Sequence, residues 1–149
     1  MNMRTSAKGI DLIKLHEGCC LVAYPDPASG GIPWTIGYGS THGVHPGMKI
    51  TPQQAEDMLV ADLTQFEDVI NEHVKVPLAQ HEFDALVSLT YNIGPANFLR
   101  SSVLRDISAG NKHAAADAFL MWDRAAHHVI AGLHHRRLDE RALFLSEKE

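Results

Sequence analysis

Glu17, Asp26 and Thr35 fall close together near the start of the chain. Their types suit one kind of chemistry. An acid can protonate a leaving oxygen while a second polar group orients water on the far side of the bond, which is what hydrolysis of a glycosidic link requires. The two carboxyls must then sit in different environments, one keeping its proton and the other ionised. Alone, the pair means little. Eighteen acids in 149 residues offer many Glu–Asp pairs, and most such pairs are surface features.

The elements that would position these residues are legible around them. Ile10, Leu12, Ile13 and Leu15 precede Glu17-Gly18, which predicts a short amphipathic helix from about Ser6, its expected N-cap, to the glycine. Glu17 then stands at the helix's negative end, where a carboxylate charge is disfavoured. From Leu21 to Met48 the texture changes to short runs, Leu21–Tyr24 and Trp34–Tyr38, cut by prolines and glycines. That predicts a small antiparallel sheet with tight turns, with Asp26 in a turn and Thr35 on a strand.

Thr51-Pro52-Gln53-Gln54 announces a long helix, with Thr51 as N-cap, proline at the first helical position and Gln54 completing a capping box. An apolar stripe from Ala55 to Val74 carries it toward Val76-Pro77. The rest reads as helical. One element around Phe83–Tyr91 stops at Gly94-Pro95, one spans Phe98 to Ile107, and one spans Ala114 to Met121. A loop is expected through Gly132, then a last helix around Leu138–Leu145. The expected class is α+β, mainly α, as a single domain over residues 1–149. It would comprise a small sheet-bearing lobe at about 18–50, a connecting helix at about 52–75, and a helical lobe at about 78–149 that includes the N-terminal helix.

Hydrophobic residues at 45% and charged residues at 21% are an ordinary globular balance. The net charge of -5 argues against nucleic acid as a partner. Protonation of all ten histidines would carry the net charge to the positive side, so a polyanionic substrate and low salt predict better activity in mildly acidic medium. Adjacent Cys19 and Cys20 do not suit a disulfide framework or a zinc pattern, and they read as packing residues beneath the site. Met1 to Lys14 carries Arg4, Lys8, Asp11 and Lys14 with no signal-like apolar run, and no stretch reads as a membrane span. Neither a phosphate-binding glycine loop nor a serine nucleophile elbow is present.

The residues become specific in context: Glu17-Gly18, then Tyr24-Pro25-Asp26, then Trp34-Thr35-Ile36-Gly37-Tyr38-Gly39. In this order they resemble the phage-type lysozymes, or endolysins, of glycoside hydrolase family 24. Further likeness runs through Phe83-Asp84-Ala85-Leu86-Val87-Ser88 and Asn92-Ile93-Gly94 to Trp122, Gly132-Leu133, Arg136-Arg137, Glu140 and Phe144. The resemblance implies a lysozyme-like muramidase that inverts at the anomeric carbon and needs no cofactor or metal. Glu17 would be the acid, Asp26 the second carboxylate and Thr35 the hydroxyl that holds water. Arg136, favoured over Arg137, would reach the Glu17 carboxyl. Tyr24 and Tyr38 are candidate sugar-stacking residues, and Trp34 leans to packing.

Peptidoglycan is the implied substrate and the protein an implied monomer. It would be held in the host cytoplasm until a separate holin-type protein releases it to the wall. A lytic transglycosylase and a catalytically silent wall-binding module are the rival readings. One spacing departs from the family. Thr35 follows Asp26 by 9 residues, more than in compact members, so the loop Pro27–Pro33 must absorb the excess without turning Thr35 to the other face.

Overall fold

The computed structural model describes residues 2–27, 29–125 and 128–146. The chain forms α1 (Ala7–Glu17), β1 (Cys20–Tyr24), β2 (Thr35–Gly37), α2 (Pro52–His73), α3 (Gln80–Ile93), α4 (Pro95–Leu99) and α5 (Ser102–Ser108). There follow α6 (Lys112–Phe119), a 3-10 turn at Leu120–Trp122, β3 (Arg124–Ala125), β4 (His128–Val129) and α7 (Ala131–Leu145). The fold is mainly helical with a small antiparallel sheet, as expected. It divides into two compact units, Lys14–Thr64 and Met1–Ile13 with Gln65–Glu149, and the divisions fall inside α1 and α2.

In the unit Lys14–Thr64, β1 and β2 pair antiparallel, with Cys20 opposite Gly37 and Tyr24 opposite Thr35. Three residues of β1 thus lie between pairs that only Ile36 separates on β2. This bulge has its own partner. Val22 bridges Lys49, the Ala23 N–H donates to Met48 O at 2.9 Å, and the Ile50 N–H donates to Leu21 O at 2.9 Å. The segment 48–50 therefore satisfies backbone groups that the bulge would otherwise leave unpaired. Ile36, Ala55, Leu59 and Leu63 are the unit's buried apolar residues.

The capping box of α2 is formed as read. The Gln54 N–H donates to Thr51 Oγ1 at 3.1 Å, and the Thr51 N–H donates to Gln54 Oε1 at 2.8 Å. Thr51→Ala removes one acceptor for an end N–H and should cost about 1 kcal/mol in urea unfolding.

The other unit is built around α3, in which every residue from Glu82 to Thr90 is buried. Phe83, Leu86, Val87, Phe98, Val103, Ile107, Phe119 and Phe144 fill its core. The Phe119 and Phe144 rings lie 5.4 Å apart. The N-terminal segment is bound to this unit through buried carboxylates. Glu67 Oε2 accepts the Thr5 N–H at 2.8 Å and the Thr5 hydroxyl at 2.6 Å. Asp84 accepts the Ser6 N–H at 2.9 Å and the Ser6 hydroxyl. Ser6 stands just before α1 as expected, but its hydroxyl goes to Asp84 instead of capping the helix.

Gly9 explains why this contact can form. A Cβ there would lie 2.7 Å from Thr5 Cγ2 and 2.8 Å from Asp84 Cβ and Cγ. Gly9→Ala would gain up to about 1 kcal/mol of helix propensity. Asp84 is held by its hydrogen bonds and cannot withdraw, so overpacking of about 1–3 kcal/mol prevails. The variant should unfold at lower urea than the parent.

Three expectations change. The helix read over Phe98 to Ile107 is two helices, because Ser101 breaks it. Its hydroxyl donates to Phe98 O at 2.7 Å, closing α4, and accepts the Leu104 N–H at 3.2 Å, capping α5. The loop read through Gly132 instead holds the β3–β4 ladder and the first turn of α7. There the Ile130 N–H donates to Asp123 O at 2.9 Å, and His134 Nδ1 lies 3.0 Å from Asp123 Oδ2. Finally, Cys19 and Cys20 are exposed, because β1 is open to solvent through its first three residues.

Candidate active site

Glu17 is the last residue of α1 and is half-buried. The Gly18 N–H donates to Lys14 O at 3.0 Å, closing the helix, and Gly18 turns the chain at φ 68°. No neighbour crowds Gly18, so this left-handed conformation is what calls for glycine there. The chain then enters β1, which ends at Tyr24 opposite Thr35. Directly paired residues project side by side from one face of a ladder.

The phenol of Tyr24 is pushed above the usual tyrosine value. Burial is the main cause, followed by negative charge on Cys20 and on Glu17. Thr35 itself is half-buried and its neighbour Ile36 is fully buried. Strand alternation therefore turns Thr35 away from the core. The Thr35 hydroxyl lies 3.4 Å from Pro33 O.

Asp26 is held by its own turn. Its N–H donates to Gly31 O at 2.9 Å, its carbonyl accepts the Gly30 N–H at 2.7 Å, and Oδ2 accepts the Ser29 N–H at 3.0 Å. The Ser29 hydroxyl donates to Ile32 O at 3.0 Å and accepts the Gly31 N–H at 3.3 Å. The additional loop residues therefore close on themselves, and β2 begins with Thr35 in ladder with Tyr24. Ser29 was not singled out in the sequence, although Asp, Ser and glycines clustered between two strands are a turn signal.

Tyr38 keeps different company. The Lys14 ammonium lies 5.7 Å from its ring centroid, and Lys14 is also paired with Glu56. Burial, then the charge of Cys19, raises the Tyr38 phenol against the pull of Lys14.

Arg136 belongs to a buried ionic cluster of the helical unit. Its Nε donates to Glu140 Oε2 at 3.1 Å and its Nη2 to Ser88 O at 3.1 Å. Arg137 Nε lies 3.0 Å from Glu140 Oε1, and Arg137 Nη2 donates to Asn92 Oδ1 at 2.6 Å. Among the described residues, no group of three or more His, Cys, Asp or Glu side chains is placed to hold a metal ion. No described helix is long and apolar enough to cross a membrane.

The three candidate residues lie at the end of α1, in the turn after β1 and at the start of β2. The chain belongs to the phage lysozyme family, which it matches over residues 14–140. The endolysin of Salmonella phage P22 is 46% identical over 149 residues, covering 97% of this chain and 99% of that one. Among solved structures, a mutant P22 lysozyme superposes with a TM-score of 0.88 at 44% identity, over 97% of this chain and 99% of the other. The muramidase domain of SpmX from Asticaccaulis excentricus superposes at 0.91 and 38% identity, over 96% and 98%.

Proposed function

We propose that this chain is an endolysin. It hydrolyses the β-1,4 bond between N-acetylmuramic acid and N-acetylglucosamine in peptidoglycan. The observation that carries the assignment of roles is the position of Glu17 at the end of α1, just before the strand whose Tyr24 pairs with Thr35. Glu17 donates its proton to the glycosidic oxygen as the bond to the anomeric carbon breaks. A water on the far face of the sugar attacks that carbon and gives its proton to Asp26, with Thr35 hydrogen-bonded to the water. Direct attack inverts the anomeric centre. Tyr24 offers the sugar an aromatic face beside the acid.

The Ser29 N–H bond to Asp26 supports the division of roles. It holds the Asp26 carboxyl in place within its turn. Mildly acidic, low-salt conditions favour contact with the anionic wall. The enzyme acts as a monomer, without a cofactor, after a separate membrane protein lets it reach the wall.

The test is mass spectrometry of peptidoglycan digested to completion. Muropeptides ending in reducing N-acetylmuramic acid are expected. Anhydro-muramoyl ends would instead establish a transglycosylase, and an undigested sacculus would establish a silent binding module.

A further inference from the structure

The loop before Thr35 closes on itself through exposed side-chain hydrogen bonds. On the sheet side, the bulge of β1 parts the Tyr24–Thr35 pair from the Cys20–Gly37 pair. The firmer hold on β2 comes from its far end. Ile36 and Ser40 exchange both backbone hydrogen bonds, each at 2.9 Å, so the chain reverses directly after the strand. Ser40 is only 2% exposed, and its hydroxyl donates to Asp62 Oδ2 on α2 at 2.6 Å. A Cβ on Gly37 would lie 3.4 Å from that of Ala55, which places the reversal against α2. All of these residues belong to the unit Lys14–Thr64.

We propose that Asp62 is a positioning residue: through the buried Ser40 hydroxyl it pins β2 to α2 and so fixes where Thr35 presents its own hydroxyl. The inference rests on the reading of Thr35 as the residue that holds the attacking water, and deepens it. Asp62 lies at the middle of a 22-residue helix, which makes a rigid support. A hydroxyl donating to a carboxylate forms a shorter and stronger bond than one between neutral groups. Ile36 follows Thr35 directly, is fully buried, and bonds Ser40 through both of its backbone polar groups. A displacement at Ser40 is therefore handed to Ile36 and from there to Thr35.

Without the Asp62 carboxylate, a buried hydroxyl is left with no acceptor, which is costly. Ser40 regains a partner by moving toward solvent, and it takes β2 with it. A misplacement of about 1 Å near the chemistry can lower a rate on the order of 10²-fold. Contacts with sugar rings elsewhere along the groove do not depend on this link, so turnover should suffer more than binding.

The experiment measures kcat and KM on soluble, uncross-linked peptidoglycan, with melting temperatures alongside. The variants are Thr35→Ala, Asp62→Ala, Asp62→Asn, Ser40→Ala and the double variant Thr35→Ala with Asp62→Ala. Asp62→Ala and Ser40→Ala should each lower kcat about tenfold, with KM within about twofold of the parent. Asp62→Asn, whose amide oxygen still accepts from Ser40, should keep most of the parent rate. In the Thr35→Ala background, Asp62→Ala should cost less than about twofold more, because the group it positions is gone. If Asp62→Ala fails to fold, Ser40→Ala combined with Thr35→Ala supplies the same cycle. Three results would overturn the inference: an undiminished further loss in the Thr35→Ala background, parent-like kcat in both Asp62→Ala and Ser40→Ala, and Asp62→Asn as slow as Asp62→Ala. A parent-like rate in Thr35→Ala alone would overturn the reading of Thr35, and the inference with it.

Discussion

Glu17→Gln should lower the rate of peptidoglycan cleavage by about 10²–10⁴-fold, the range ascribed to a positioned general acid. The substitution keeps the size and shape of the side chain and an acceptor oxygen. It removes the proton that the leaving sugar oxygen must receive. Glu17 ends its helix and is half-buried. Rate and melting temperature measured on the same preparation separate chemistry from stability. A variant that cleaves sacculi as fast as the parent removes Glu17 from the mechanism. One that is inactive because it is unfolded shows a structural role instead.

The largest effect on stability is expected at Glu140→Ala. Glu140 is completely buried. Its carboxylate accepts from Arg136 Nε and from the Ser88 hydroxyl at 2.5 Å, and lies 3.0 Å from Arg137 Nε. Burial pushes the carboxyl above the ordinary glutamate value, against the pull of Arg137, Arg136 and the Ser88 hydroxyl. Removing it deprives two buried guanidinium groups and a hydroxyl of their shared acceptor. Breaking such a cluster costs roughly 3–5 kcal/mol. For a chain of this size that lowers the melting temperature by roughly 6–20 °C.

The exposed pair formed by Arg141 Nη2 and Asp117 Oδ1 at 2.7 Å provides the contrast. Its loss in Arg141→Gln should cost at most about 1 kcal/mol, because solvent screens both partners. Calorimetry of the two variants side by side checks the ranking. Equal melting temperatures would refute it.

What could be read from the sequence was local. Thr51 and Gln54 form their box because both partners lie within one turn, so no distant contact can override it. Gly18 and Gly94 end their helices for reasons of backbone conformation alone. The spacing of Glu17, Asp26 and Thr35 was visible. What held them was less so, since the support of Asp26 comes from Ser29 in a loop without periodicity.

Misreadings arose where a side chain chose a partner that composition does not reveal. The apolar period runs straight through Ser101, yet its buried hydroxyl serves two helices at once. A loop was expected through Gly132, but Asp123 accepts the Ile130 N–H and lies 3.0 Å from His134 Nδ1, and the helix begins at Ala131. Cysteine is usually a buried residue, yet Cys19 and Cys20 stand in solvent at the open start of β1.

Three buried polar side chains on α3 each fasten a different stretch of chain. Glu82 receives the Ala79 N–H and Lys112 of α6. Asp84 takes Ser6, and Ser88 meets Glu140 and Arg136 of α7. For evolutionary drift this makes α3 a ratchet. Leu86, Val87 and Leu89 can be exchanged for similar apolar residues with modest repacking. Each acid or serine can change only if a partner far away in sequence changes in the same lineage.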